Sequence, residues 1–331
     1  MQYRKFGKVD DADVDYILHE KITEEQNWNV FRATQQSLNR KVIISISKKR
    51  RKRANIKGVG SDLENVAQEA GKQIQLVGGL THPGIITVHD MGTVSGSEHN
   101  GSAFLVSEDN NYIPWSNEIG NKSQNENLEI FLKLVAVVAY LHQNKIVHCD
   151  LKPNNVLLGN FGEVCLSTFD CMFEVERPEL FSPALTIGYS SPEMAEAFLE
   201  YRKRLDEVKR DVIAKSGSPN KQSQIDIELD KSVAAIRKQL ANRVGYHSDI
   251  YLLGAVLFEI ITGQPPRRFR VEGEKTVQGI ARAASNEIVD LKQAWQVPLL
   301  KIALAAMNGV PDRTPKTAAE LAVLVKEHLQ H

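Results

Sequence analysis

The apolar period of this chain changes once, and that change limits its fold more than any other feature. From Tyr16 to about Val106 the pattern is strand-like. VFRATQQ and RKVIISIS are β-branched runs around Ser37-Leu38-Asn39, a hairpin signal, and HPGIITVHDMG and SAFLVSE add two more strands. One helix is expected among them, from about Leu63 to Val77, stopped by Gly78-Gly79. From Leu128 the period becomes helical, with Leu128, Ile130, Phe131, Leu134, Val137, Val138 and Leu141 on one broad apolar face. The remainder reads as mostly helical, apart from the short runs NVLL and EVCLS joined by Gly159-Asn160-Phe161-Gly162. A small strand-rich part followed by a larger helical part is an α+β pattern, with its boundary in the polar stretch Ser107 to Gln124.

Composition narrows the function classes. The 331 residues, 42% of them apolar, can build a sizeable core and are too apolar for a disordered chain. With 41 basic and 41 acidic residues, no global field attracts nucleic acid or an anionic membrane. Cys149, Cys165 and Cys171 are too few for a disulfide scaffold and lack zinc-type pairing, so a reduced, cytoplasmic compartment is expected. The first residues carry no apolar signal region. The longest apolar run, from Tyr251, is interrupted by Glu259 and is too short to span a bilayer.

Two segments stand apart. KKRRKR, Lys48 to Arg53, is either an anionic-ligand patch or a solvated loop after a strand; no aromatic interleaving supports nucleic-acid binding. The second runs from Met194 to Val244. Phe198, Tyr201, Leu205, Val208 and Val212 recur at helical spacing, then Ser216-Gly217-Ser218-Pro219 breaks the pattern. Ile225, Leu229, Val233, Ile236 and Leu240 resume it, which predicts an antiparallel helical hairpin. Its stripe is buried on its own domain, or it forms a docking arm for another protein.

Residues 147–158, VHCDLKPNNVLL, carry the chemistry. His148, Asp150 and Asn155 fall at the spacing H-R-D-L-x-x-x-N, in which the Asp accepts a substrate hydroxyl proton and the Asn holds Mg²⁺; Lys152 follows, and Cys149 replaces the Arg. On this run the chain resembles the eukaryotic-like Ser/Thr protein kinases of bacteria. The resemblance continues in SPE at Ser191 to Glu193, in HSDIYLLGAVLFEIITGQPP and in PDRTPKTAAEL. It implies one bilobal kinase-like domain over 1–331. Its strand-rich lobe would span about 14–106, its hinge and linker 107–124, and its helical lobe 125–331, with a hairpin insertion at about 195–243. It further implies that Asp249 bonds the catalytic-loop backbone and that Arg313 pairs with Glu193.

The same resemblance exposes losses. Phosphoryl transfer needs placed charge more than covalent chemistry. The stretch matching the Gly-rich loop, KITEEQNWNVF at 21–31, has no glycine and carries Glu24 and Glu25. Ser45 stands at the position of the nucleotide-binding lysine. Lys41 lies too far along the strand to replace it, and Lys48 points to the other face. Gln73 stands at the position of its helix glutamate, with Glu69 one turn earlier. Thr168-Phe169-Asp170 replaces D-F-G, so a hydroxyl takes the metal-binding place, and Asp170 lies two residues beyond. Val106 completes the implied nucleotide-binding positions. Asp150, Lys152 and Asn155 remain, and the implied protein is a pseudokinase that acts through a protein partner and needs no cofactor. The alternative is an active or weakly active kinase that uses ATP, with Mg²⁺ on Asn155 and Asp170. Replacement of Arg by Cys149 also removes the family's usual grip on an activation-segment phosphate.

Overall fold

The computed structural model describes residues 3–7, 15–24, 28–48, 76–95, 99–215, 222–266, 298–307 and 314–329. They divide into two compact units, one of residues 1–81, 86–111 and 211–228, the other of 82–85, 112–210 and 229–331.

The first unit is built on six strands: β1 (Tyr3–Gly7), β2 (Tyr16–Glu24), β3 (Trp28–Gln35), β4 (Arg40–Ser47), β5 (Val88–Ser95) and β6 (Ala103–Glu108). They close in the order β1-β2-β3-β4-β6-β5. Alternation decides which side chains enter the barrel. Val42, Ile44 and Ile46 of β4 meet Phe104 and Val106 of β6 inside, with Phe6, Tyr16, Ala33 and Val94, all buried. The β3–β4 turn closes with Asn39 at φ 46°, a left-handed conformation that Asn tolerates better than branched residues do.

β1 lies before the strand-like stretch that starts at Tyr16; it runs parallel to both β2 and β5 and closes the barrel. A five-residue strand with three charged or polar positions carries too little alternation to be read. Val106 is a barrel-core residue with no exposed surface, not a nucleotide-site residue. It pairs with Ile44, whereas Ser45 pairs with Leu105. With a side-chain period of two, Val106 and Ser45 point to opposite faces. Of the helix expected over Leu63 to Val77, only its end at Leu76–Gly78 falls within the described residues.

The second unit is helical. Its first helix, α1 (Gln124–Gln143), starts at a capping box in which Ser123 and Glu126 satisfy each other's backbone N–H groups. Its buried face is Leu128, Phe131, Leu134, Val135, Val137, Val138 and Leu141. Next come the hairpin helices α2 (Pro192–Lys215) and α3 (Gln222–Ala241), of which residues 211–228 belong to the first unit, then α4 (Tyr246–Thr262), α5 (Pro298–Ala306) and α6 (Ala318–Leu329). Helix α4 is buried from Ser248 to Phe258. At Gly254 a Cβ atom would lie 2.8 Å from Ala306 Cβ and 2.9 Å from the Ala303 carbonyl, so only glycine lets α4 and α5 approach this closely. The 107–124 stretch is more than a polar linker and includes the short strand β7 (Ile113–Pro114). It contains Trp115, fully buried, whose indole N–H donates to Asn127 at 2.8 Å.

Hairpin helices α2 and α3 are antiparallel. Arg243 meets Glu200 at 2.6 Å, Arg204 donates to Gln239 at 2.5 Å, and the Arg237 guanidinium lies 5.7 Å from the Tyr201 ring centroid. Val212, Leu229, Ile236 and Leu240 of the apolar stripe are buried.

Candidate active site

Four short strands frame the catalytic-type loop: β8 (Ile146–Val147) before it, β9 (Val156–Leu158) after it, then β10 (Val164–Leu166) and β11 (Phe173–Glu174). β9 pairs with β10, and β11 returns to pair with β8. The loop between them is shaped from below by α4. Asp249, in the first turn of that helix and without exposed surface, accepts 2.8 Å hydrogen bonds from the backbone N–H groups of His148 and Cys149. His142 Nε2 of α1 lies 2.9 Å from the same carboxylate. Cys149 is thereby held at φ 64°, a left-handed conformation that costs a non-glycine residue about 1–3 kcal/mol. The loop keeps that strain because two buried N–H groups would otherwise lose their acceptor.

His148 has no exposed surface, and its Nδ1 accepts from the Asp150 N–H at 3.2 Å. Burial pushes its pKa down; Asp249, Asp150 and the Thr168 backbone oppose that shift only in part. Burial also lowers His82 and His89. The sign follows directly. Unfolded histidines take up protons from about pH 6.5 downward, while the folded ones resist, so stability is full above that pH and is lost as pH falls. The half-buried Glu259, whose pKa is raised by its desolvation, works in the opposite sense. The urea midpoint is expected to fall between pH 7 and pH 5; a midpoint that rises over this interval would show Glu259 to dominate.

The side chains above the loop form one network. Asp150 Oδ1 accepts from Lys152 Nζ at 2.9 Å and from the Thr186 hydroxyl at 2.5 Å. Its Oδ2 accepts from Lys152 at 2.9 Å and from Asn155 Nδ2 at 2.7 Å. Lys152 also donates to Thr186 at 3.0 Å, and Asn155 Nδ2 to the Asp150 carbonyl at 2.7 Å. Thr186 escaped the sequence reading. Its signal was faint, a hydroxyl opening TIGYSSPE, seven residues before Glu193. Its own N–H bonds Ser190 Oγ at 2.9 Å, and Tyr189 three residues on donates to the half-buried Glu259. Glu193 accepts from Ser248 at 2.9 Å and lies 3.6 Å from His247; Arg313 lies outside the described residues.

The segment after β10 starts beside this network. Ser167 bonds the Asn155 carbonyl through both its N–H, at 3.1 Å, and its hydroxyl, at 3.2 Å. Thr168 is half-buried, Phe169 is buried, and Asp170 is half-buried in a turn closed by the Met172 N–H on the Phe169 carbonyl. Cys149 and Cys171 are buried free thiols whose pKa values burial pushes up, which makes them poor nucleophiles.

In the first unit, Ser45 is half-buried on the β4 face that also carries Ile43, beside Trp28, Val30, Ala103, Met91 and Leu105. That neighbourhood is apolar. Lys48 instead pairs with Glu24 at 2.9 Å, as does Lys21 at 2.5 Å, and these two cations hold Glu24 at about 2. Glu25, Lys49 to Arg53, Glu69 and Gln73 lie outside the described residues. Magnesium and a nucleotide triphosphate need cationic and carboxylate partners. Ser45 and Thr168 offer hydroxyls at two of those places, and no group of three or more metal-binding side chains gathers among the described residues. The described residues at these two places do not supply those partners.

A barrel-like β unit, a helical unit and a loop anchored by a buried Asp on the central helix define the α+β protein-kinase fold. The protein kinase domain model matches residues 16–208, more than half the chain, and the chain belongs to that family. It is similar to the serine/threonine-protein kinase PrkC of Bacillus subtilis, 26% identical over 62% of this chain and 24% of the relative. It is likewise similar to PknD of Chlamydia muridarum, 26% identical over 78% and 26%, and to PKH3 of Eremothecium gossypii, 22% identical over 89% and 34%. The chain thus spans about a quarter to a third of the length of these relatives. Among the described residues no single helix is long and apolar enough to cross a membrane.

Proposed function

We propose that this chain is a catalytically inactive kinase-fold protein that acts as a scaffold or allosteric partner of another protein. The observation that carries the reading is Ser45 in an apolar strand face, where an active kinase places a phosphate-binding cation. Thr168 at the metal position adds to it. Loss of one charge-stabilising group costs on the order of a hundred- to a thousandfold in rate, and two such losses leave negligible transfer. The charge-dense outer face of the α2–α3 hairpin is the surface offered to a protein partner, since Val212, Leu229, Ile236 and Leu240 of its apolar stripe are buried.

A second reading is an active or weakly active Ser/Thr kinase. The complete Asp150–Lys152–Asn155–Thr186 network favours it, and the relatives are named Ser/Thr kinases. It would need Asp170 to take the metal-binding role. One pair of measurements separates the two. With millimolar ATP and Mg²⁺ the melting temperature is expected to stay unchanged, with no phosphate transferred to a generic protein acceptor. Transfer that Asp150→Asn abolishes would overturn the inactive reading.

A further inference from the structure

We propose that β1 is an exchangeable strand, and that the slot it fills between β2 and β5 also accepts Tyr3–Gly7 of a second copy of this chain. Without β1 the barrel would present two open edges, each a row of unpaired backbone groups. The strand divides its pairing between them. Tyr3, Arg4 and Lys5 pair with Thr93, Val94 and Ser95 of β5, while Phe6 and Gly7 pair with Tyr16 and Ile17 of β2. Parallel neighbours ordinarily need a crossover of about a dozen residues or more. Here residues 8–15 suffice, because the end of β1 lies beside the start of β2.

The slot has a specific fit for this segment. Phe6 is buried, with its ring centroid 5.4 Å from Tyr16 and 4.9 Å from Phe104, both edge-on. Asp15 clasps Lys5 twice, through its N–H on the Lys5 carbonyl at 2.8 Å and its carboxylate on the Lys5 N–H at 2.7 Å. Every one of these contacts can be made by another copy as well as by the same chain. Reciprocal exchange therefore closes both barrels and leaves no edge open, and only the short connection and concentration decide between the two arrangements. A short tether sets an effective concentration of about millimolar, so the exchanged dimer grows in when the chain is refolded at high concentration.

The test uses the whole chain. Single variants Lys5→Cys and Asp15→Cys, refolded together at high concentration and mildly oxidised, are expected to give a covalent heterodimer, because only exchange brings the two positions together between molecules. Neither variant alone should give that product. Light scattering on the unmodified chain is expected to show a dimer fraction that rises with refolding concentration. Phe6→Ala removes the same ring contacts from both arrangements, so it should lower the melting temperature and leave the dimer fraction unchanged. A chain that stays monomeric up to about millimolar, a mixture without covalent heterodimer, or a dimer fraction that collapses in Phe6→Ala each overturns the proposal.

Discussion

Asp249→Ala is expected to be the most damaging single substitution in the helical unit, with a loss of about 3–5 kcal/mol. The carboxylate has no exposed surface and receives the His148 and Cys149 N–H groups at 2.8 Å each. Removing it strands two buried donors, each worth about 1–3 kcal/mol, and leaves His142 without its acceptor. Nothing would then hold Cys149 in its left-handed conformation, so the loop would relax as well. The urea midpoint measures the loss. Asp249→Asn keeps one acceptor oxygen and should cost distinctly less; equal losses for the two variants would mean that packing, not hydrogen bonding, makes the position important.

Ser45→Lys combined with Thr168→Asp is expected to give a stronger response to nucleotide than the parent chain. The two substitutions return a cation to the β4 face and a carboxylate to the segment after β10. If charge loss at these places is what silences the chain, the double variant should show a Mg²⁺-dependent melting shift with ATP. Its apparent affinity should exceed that of the parent by at least about tenfold, the equivalent of one modest charged interaction. A parent that already shifts equally would mean that the family positions were misassigned. Each single variant should respond less than the pair, because metal and cation share the same phosphates.

What the sequence disclosed depended on the length over which a physical signal accumulates. The α+β character was legible because alternation over VFRATQQ and RKVIISIS and helical period over Leu128 to Leu141 each persist for several residues. The hairpin was legible for the same reason. β1 was not: five residues with one aromatic anchor carry no period, and its pairing comes wholly from distant edges. Val106 shows a different failure. Position in a family pattern placed it near the nucleotide, but a shift of one residue on a strand reverses the face, and Leu105 holds the side next to Ser45. Thr186 was missed because a lone hydroxyl lying 36 residues after Asp150 becomes part of the site only through the fold. Trp115 was passed over inside a polar stretch, although a buried indole with a bonded N–H is a strong anchor.

The anchoring of the catalytic-type loop has a bearing on how such a chain can change over time. Asp249 holds the loop through main-chain N–H groups, which every residue except proline possesses. The path of the chain at His148 and Cys149 is therefore indifferent to much of what stands there, and an arginine can give way to a cysteine without the loop losing its form. Ser45 obeys the same economy, because the β4 ladder is made by backbone groups whether its side chain is a cation or a hydroxyl. In a scaffold built this way, catalytic parts are detachable. Side chains at such places can change one by one while the path of the backbone is kept.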